Sequence, residues 1–475
     1  MKIERFMSKI YTNFRTKPTN FIIVLCLFSI IPVSIYYIFF PPHPQKSCYP
    51  LEIKNNELND RISLGNKTLL TEKILISKNT NQNTIQPIQQ YVNIKQKGTQ
   101  YFTEGKCDEA EGLFKEVKNN FRNDPENVIY LNNVQVGKNP LKIAVSVPIV
   151  TKPDIAQEIL RGVAYAQDEI NKTGIDQRKL LVEIINDDND LNVVKKVAEE
   201  LVNDREILAV IGHNKSTASM IAAEVYKDKL VMVSPTSTAD NLSNYNNFIF
   251  RSIFPSEEMT PTLAEYAIKT AKNKIAICYY KKDISSQSLT GNFIMSFTKV
   301  GGKIVALDCN LSDPNFNAAK TVDQAIRLGA NGLFLDPDLD KLDVVINLAN
   351  VNQGRLTLFG DPTLYTGEIL NGQVEGLVLV SPWHPDINVS FARKMKDFWG
   401  GSVNWRTATA YDATKAVIAG LQKKQTRVGL QQVLESRDFT AMGQNGEIKF
   451  NYISGDRMGT PILVKVSNGQ FQQIR

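Results

Sequence analysis

The sequence predicts an α/β protein whose main part folds into two parallel-sheet lobes joined by a hinge, preceded by a transmembrane helix and a short helical hairpin. Three observations carry this reading. Residues 21–40 form an uncharged apolar run. From Leu141 onward, short apolar segments alternate with segments of helical period. That alternation occurs as two successive series, which predicts two lobes with a cleft between them.

The apolar run FIIVLCLFSIIPVSIYYIFF is long enough, at about 1.5 Å per helical residue, to cross a hydrocarbon core of about 30 Å. Tyr36, Tyr37, Phe39 and Phe40 fit an interfacial belt. Lys2, Arg5, Lys9, Arg15 and Lys17 precede the run, against one acid, Glu4. The positive-inside rule therefore places residues 1–20 in the cytoplasm and the rest outside, in the periplasm or beyond the plasma membrane. No small-x-small cleavage site follows in FFPPHPQKS, which favours an uncleaved single-pass anchor over a signal peptide.

Residues 41–90 are rich in Asn, Gln, Lys and Thr and read as a linker, with a short helix near Leu69 to Ile76. Residues 91–136 follow as a hairpin. Gly98, Tyr101, Ala110 and Phe114 fall at the spacing of a tetratricopeptide helix pair, with Gly105 and Asp108 at the turn. Pro125 arrives about three residues late for that repeat. The hairpin is either a partner-docking module or a spacer packed on the main domain.

The main domain spans 137–475. LKIAVSVPIV, KLLVEIIND, ILAVIG and LVMVSP read as buried strands, separated by helical segments such as DIAQEILRGVAYAQDEINKTG. KIAICYY, KIVALD, GLFLD and LTLFG form the second series. The net charge of +6 is spread along the chain without a basic tract, so nucleic acid is not an expected partner. Five cysteines without a C-x-x-C and three scattered histidines argue against a metal site, and no cofactor motif stands in a usable context. Cys278 and Cys309 lie at or after strands. A disulfide is conceivable, and two free core thiols are the expectation. No catalytic signature is present, and an enzyme is not expected.

In such sheets ligands sit outside the carboxyl ends of the strands. Three polar loops fall there. GHNKST opens a helix near Ser216; Ser216 and Thr217 read as N-cap residues, and the helix start is either an anion site suited to a carboxylate or plain capping. SPTSTADNLS offers the hydroxyls of Thr236, Ser237 and Thr238, able to meet both poles of a zwitterion. Asp361, after LTLFG, either pairs a ligand ammonium or forms a turn before Pro362. Asp336 and Asp338 are weaker candidates, and Asp154 and Ala156 weaker still.

The ordered series LKIAVSVP, EILRGVAYAQDEIN, VIGHNKSTASMIAAEVYKDKLVMVSPTSTADNLS, NFIFRSIFPSEEMTPTLAEY and KIAICYY resembles the leucine/isoleucine/valine-binding protein family, the type I periplasmic binding proteins of ABC transporters. The resemblance implies a hinge crossed about three times, with lobe one at about 140–257 and 377–450 and lobe two at about 258–376 and 451–475. It implies an amino-acid site in which Ser216 meets the carboxylate, the Thr236–Thr238 loop meets both poles, and Asp361 holds the ammonium. Where the family often carries a Tyr after KIAICYY, this chain has Ile284 or Ser285. The anchor and hairpin resemble the architecture of some cyanobacterial members. The expected function is extracytoplasmic capture of a small polar, amino-acid-like ligand for an ABC permease. A membrane-anchored sensor using the same cleft, or an adaptor with a degenerate cleft, are the alternatives.

Overall fold

The computed structural model describes residue 49 and residues 57–76 and 82–474. The anchor expected at 21–40, the cytoplasmic segment expected at 1–20 and most of the first part of the linker lie outside the described residues. Among the described residues, no helix is long and apolar enough to cross a membrane.

Lobe one is built on a six-stranded sheet in the order β1-β3-β2-β4-β5-β6. Its strands are β1 (Ile62–Ser63), β2 (Leu141–Val147), β3 (Leu180–Asn186), β4 (Ile207–Ile211), β5 (Val231–Ser234) and β6 (Ile249–Arg251). Strands β2 and β3 are buried along their whole length, as their unbroken aliphatic runs require in a sheet covered on both faces. Lobe two has a seven-stranded sheet in the order β15-β14-β11-β10-β9-β7-β8. These strands are β7 (Lys274–Tyr279), β8 (Lys303–Val305), β9 (Gly332–Asp336), β10 (Thr357–Gly360), β11 (Val378–Ser381), β14 (Ile462–Ser467) and β15 (Gln470–Ile474). A two-stranded ribbon, β12 (Ala441–Gly443) with β13 (Gly446–Ile448), stands apart.

The sheets are parallel at their centres and antiparallel at their edges. Strand β1 runs antiparallel to β3, and β14 runs antiparallel to both β11 and β15. The expectation of wholly parallel sheets thus misses strands supplied from outside the βαβ series. The β14–β15 hairpin turns at Asn468–Gly469, both at positive φ, the conformation that an Asn-Gly turn favours.

Two boundary expectations are corrected. Strand β11 continues the parallel ladder of lobe two, with Phe359 opposite Val378, so the chain leaves that lobe after Ser381 rather than at 377. Residues 451–457 stay with lobe one: Gly455 O accepts from Arg251 N at 3.1 Å and Ser454 O from Asn244 N at 3.0 Å. Arg251 and Asp456, both buried, also pair through their side chains and tie the first crossing to the third.

The linker reading is corrected as well. In residues 57–76, Leu58, Leu69 and Leu70 are buried, and β1 extends the lobe-one sheet. Aliphatic residues without a period here fill a surface and edge a sheet, which periodicity cannot reveal. The short helix is Glu72–Ile76, and the hairpin begins at Gln82. Its helices are Gln82–Thr103 and Cys107–Asn120. A Cβ at Gly98 would lie 2.7 Å from the Phe114 ring, so the small residue at that position sets the helix approach. The late Pro125 opens a third helix, Pro125–Asn133, capped by Asp124. The hairpin packs on lobe one in a shared core that includes Phe102, Phe114, Val128, Ile143 and Val163. Cys278 and Cys309, expected as free thiols, are joined by a disulfide. Cys278 lies in β7 and Cys309 follows the neighbouring β8, and that adjacency was invisible in sequence spacing.

Candidate functional site

The loop between β4 and the helix Ser216–Tyr226 is fixed from below. His213 is fully buried, its Nδ1 2.6 Å from Asp187 Oδ2 and its Nε2 3.2 Å from the Tyr226 hydroxyl. Burial opposes the charge of Asp187, yet the bond to His213 brings its pKa below the usual carboxylate value. The His213 carbonyl accepts from the hydroxyls of Ser219, Ser234 and Ser237 at 3.1, 3.2 and 3.3 Å. This network presents Asn214, Lys215 and Ser216 to the cleft.

The predicted N-cap is displaced by one residue. Lys215 occupies the cap position and makes no side-chain cap bond, so Ser216 and Thr217 open the helix itself. The Ser216 hydroxyl accepts instead from Thr238 N and Ala239 N, each at 3.2 Å, and so binds the two polar loops together. First-turn amides are left without a side-chain cap at the cleft edge, an arrangement that attracts an anion.

A small cavity of about 60 Å³ lies where the lobes meet. Ser216, Thr236, Thr238 and Asp361 all line it, so four of the six expected residues converge. Thr217 and Ser237 are not in its wall. Ser237 is fully buried, 2.8 Å from the Ser219 hydroxyl, and supports the loop from behind. Thr236 donates to Asn214 O at 2.7 Å and keeps its lone pairs available. Asp338, a weaker candidate in the sequence, also lines the cavity; Asp336, Asp154 and Ala156 do not.

Sequence reasoning missed several wall residues. Asn214 is one, although it sits inside the loop that was singled out. Trp405 and Arg406 come from the start of the helix Trp405–Lys423, far along the chain. Trp405 donates to Pro362 O at 3.2 Å, and Arg406 to Tyr365 O at 3.2 Å and to Glu158 at 3.3 Å. No local motif marks them.

Two buried polar atoms of this wall have no hydrogen-bond partner: Asn214 Nδ2, a donor from lobe one, and Asp361 Oδ1, an acceptor from lobe two. Burial pushes the Asp361 carboxyl up to about 6, against the lowering effects of its Thr363 hydrogen bond and of Arg406. Asp336, buried behind it, is raised well above the carboxylate range by burial and by the Asp361 charge. Larger hollows lie elsewhere, one of about 500 Å³ between hairpin and lobe one and one of about 570 Å³ beside His384. Neither joins an orphaned donor to an orphaned acceptor from the other lobe, so size does not mark the site.

The model of the family described as "Periplasmic binding protein" matches residues 140–464. The chain belongs to that family. Curated relatives of this periplasmic binding protein include the leucine-, isoleucine-, valine-, threonine- and alanine-binding protein of Pseudomonas aeruginosa, 28% identical over 185 residues, which are 38% of this chain and 49% of the relative. An amino acid binding protein of the same organism is 25% identical over 35% of this chain and 45% of its own length. The matches thus span about half of these relatives. Among solved structures, a leucine binding protein from Thermotoga maritima superposes with a TM-score of 0.63 at 18% identity, over 70% of this chain and 98% of its own. A substrate-binding protein from Desulfitobacterium hafniense in complex with Leu gives 0.62 at 24%, over 71% and 100%. A solute-binding protein from R. palustris in complex with benzoate gives 0.63 at 16%, over 71% and 96%. At these identities the structural likeness establishes the two-lobed fold.

Proposed function

We propose that this periplasmic binding protein captures a small amino-acid-like zwitterion between its lobes and delivers it to an ABC-type permease. One observation carries the reading: Asn214 Nδ2 and Asp361 Oδ1 are buried, unpartnered and complementary, and their residues line one cavity from opposite lobes. A buried polar atom without a partner costs about 1–3 kcal/mol, which a ligand recovers on binding. The ligand carboxylate is assigned to Asn214 Nδ2, the Ser216 helix start and the hydroxyls of Thr236 and Thr238. Its ammonium is assigned to Asp361. Contacts to both lobes exist only in the closed form, so ligand binding shifts the equilibrium further toward closure. The names of the two Pseudomonas relatives support an amino-acid ligand, while the benzoate-bound neighbour shows that the fold also accommodates other carboxylates. The Cys278–Cys309 disulfide supports an oxidising, extracytoplasmic location. The apolar run at 21–40 is assigned as the membrane anchor on its length and flanking charge.

The test is a thermal-shift screen of the purified chain against amino acids, small amides and aromatic acids, since a ligand of the native state alone raises Tm. Hits among amino acids, lost in both Asn214→Ala and Asp361→Asn, are the expected result. Binding that persists in both variants places the site elsewhere.

A further inference from the structure

Two lysines of lobe one cross the cleft to a single turn of lobe two. Lys152, in the loop after β2, lies 2.6 Å from the Asp340 carboxylate and donates to Leu339 O at 3.2 Å. Lys215, in the loop after β4, reaches both Asp338 oxygens, at 3.0 and 2.8 Å, and lies 3.8 Å from Asp340. Within the turn, Asp338 Oδ1 also accepts from Asp340 N at 2.9 Å. Burial works against the charge of Lys215, but Asp338, with Asp340 and Asp283 beyond it, raises its pKa above the ordinary lysine value. The lysine therefore stays charged throughout the working pH range.

These pairs differ in weight. The Lys215 and Asp338 side chains are 24% and 7% exposed, while Asp340 is 62% exposed. The Lys215–Asp338 pair is consequently the less screened, and the Lys152–Asp340 pair sits in solvent and fades with salt. Both exist only while the lobes are together, since all four charges are solvated separately once the cleft opens. They are contributed by the protein itself and favour the closed shape whatever the cleft contains.

We propose that Lys152 and Lys215, gripping the Asp338–Asp340 turn, form an ionic latch that holds the two lobes closed and makes the opening of the cleft depend on ionic strength. Asp338 and Lys215 also line the cavity, so the latch deepens the binding reading by placing the closing force at the site itself. It does not depend on the identity of any ligand.

Neutron scattering from the purified full chain, with detergent contrast-matched, reads the lobe separation as a radius of gyration. The wild type is expected to be compact at low salt and to expand at about 1 M salt, where the screening length falls to about 3 Å. The double variant Asp338→Asn, Asp340→Asn is expected to be expanded already at low salt, with the closed-to-open ratio reduced about fivefold or more. Lys152→Met with Lys215→Met should give the same result from the other lobe, and the exchange Lys215→Asp with Asp338→Lys should restore compactness at low salt. Melting curves confirm that each variant is folded. Equal radii for wild type and both double variants at both salt levels overturn the latch. That outcome is independent of the thermal-shift screen, which tests the ligand reading alone.

Discussion

At the scale of single residues, Asp361 shows how a buried carboxylate in a candidate site is held at a cost to stability. Burial raises its carboxyl from 3.8 to about 6. Between those values the folded protein keeps a proton that the unfolded chain has lost, so stability falls as pH rises through the window and the penalty is complete above it. Asp361→Asn is therefore expected to raise the stability of the unliganded protein at neutral pH by up to about 3 kcal/mol, read as a higher Tm, while abolishing ligand binding. A variant that loses both stability and binding would indicate a structural carboxylate. The same shift predicts a pH-dependent affinity. An ammonium needs the ionised carboxylate, so affinity for an amino-acid ligand should weaken as pH drops below about 6; calorimetric titration of the wild type across that range checks this, and a flat profile argues against the pairing. The groups acting on Asp361 are Thr363 and Arg406, with Asp336 behind it. Legibility at this scale was uneven. Ser216, Thr236, Thr238 and Asp361 could be found because each follows an apolar strand in a polar loop. Arg406 and Trp405 could not, because they reach the cleft from a helix start whose relation to the site is set only by the third dimension.

At the scale of elements, alternating strands and helices were readable because burial on both faces demands continuous aliphatic runs, as in β2 and β3. What escaped were pieces whose place depends on distant partners: β1 at an edge, and the disulfide linking β7 to the segment after β8. Helix–helix contact provides a sharp check on the packing. Helix Pro153–Ile170 meets helix Trp405–Lys423 at Gly162, where an added Cβ would lie 2.3 Å from Thr407 O and 2.5 Å from Tyr411 N. These are backbone atoms and cannot step aside. Gly162→Ala is expected to cost about 2–3 kcal/mol or more, measured by denaturant unfolding, with a value near zero arguing against this close approach. Reduction of the Cys278–Cys309 disulfide, which spans 31 positions, should lower stability by about 3 kcal/mol. The measurement is Tm with and without a membrane-permeant reductant, compared with Cys278→Ser with Cys309→Ser.

At the scale of the whole molecule, the hairpin and lobe one behave as one body. Lys95 is wholly buried, 2.7 Å from both Asp124 and Glu126. Glu126 in turn accepts from Leu69 N, Leu70 N and the Tyr130 hydroxyl, so one ionic knot joins the segment before the hairpin, its first helix and the helix that enters the main domain. Lys95→Met would strand two buried carboxylates and is expected to cost about 3–5 kcal/mol. Because the core is shared, calorimetry should show hairpin and lobe one melting together at a lower temperature. An early, separate transition would mean that the hairpin is an independent module. The knot has a mechanical consequence. Under the proposed closure, with the helix Gln82–Thr103 locked to lobe one, that lobe is the stator of the machine and lobe two is the rotor that sweeps the closing angle.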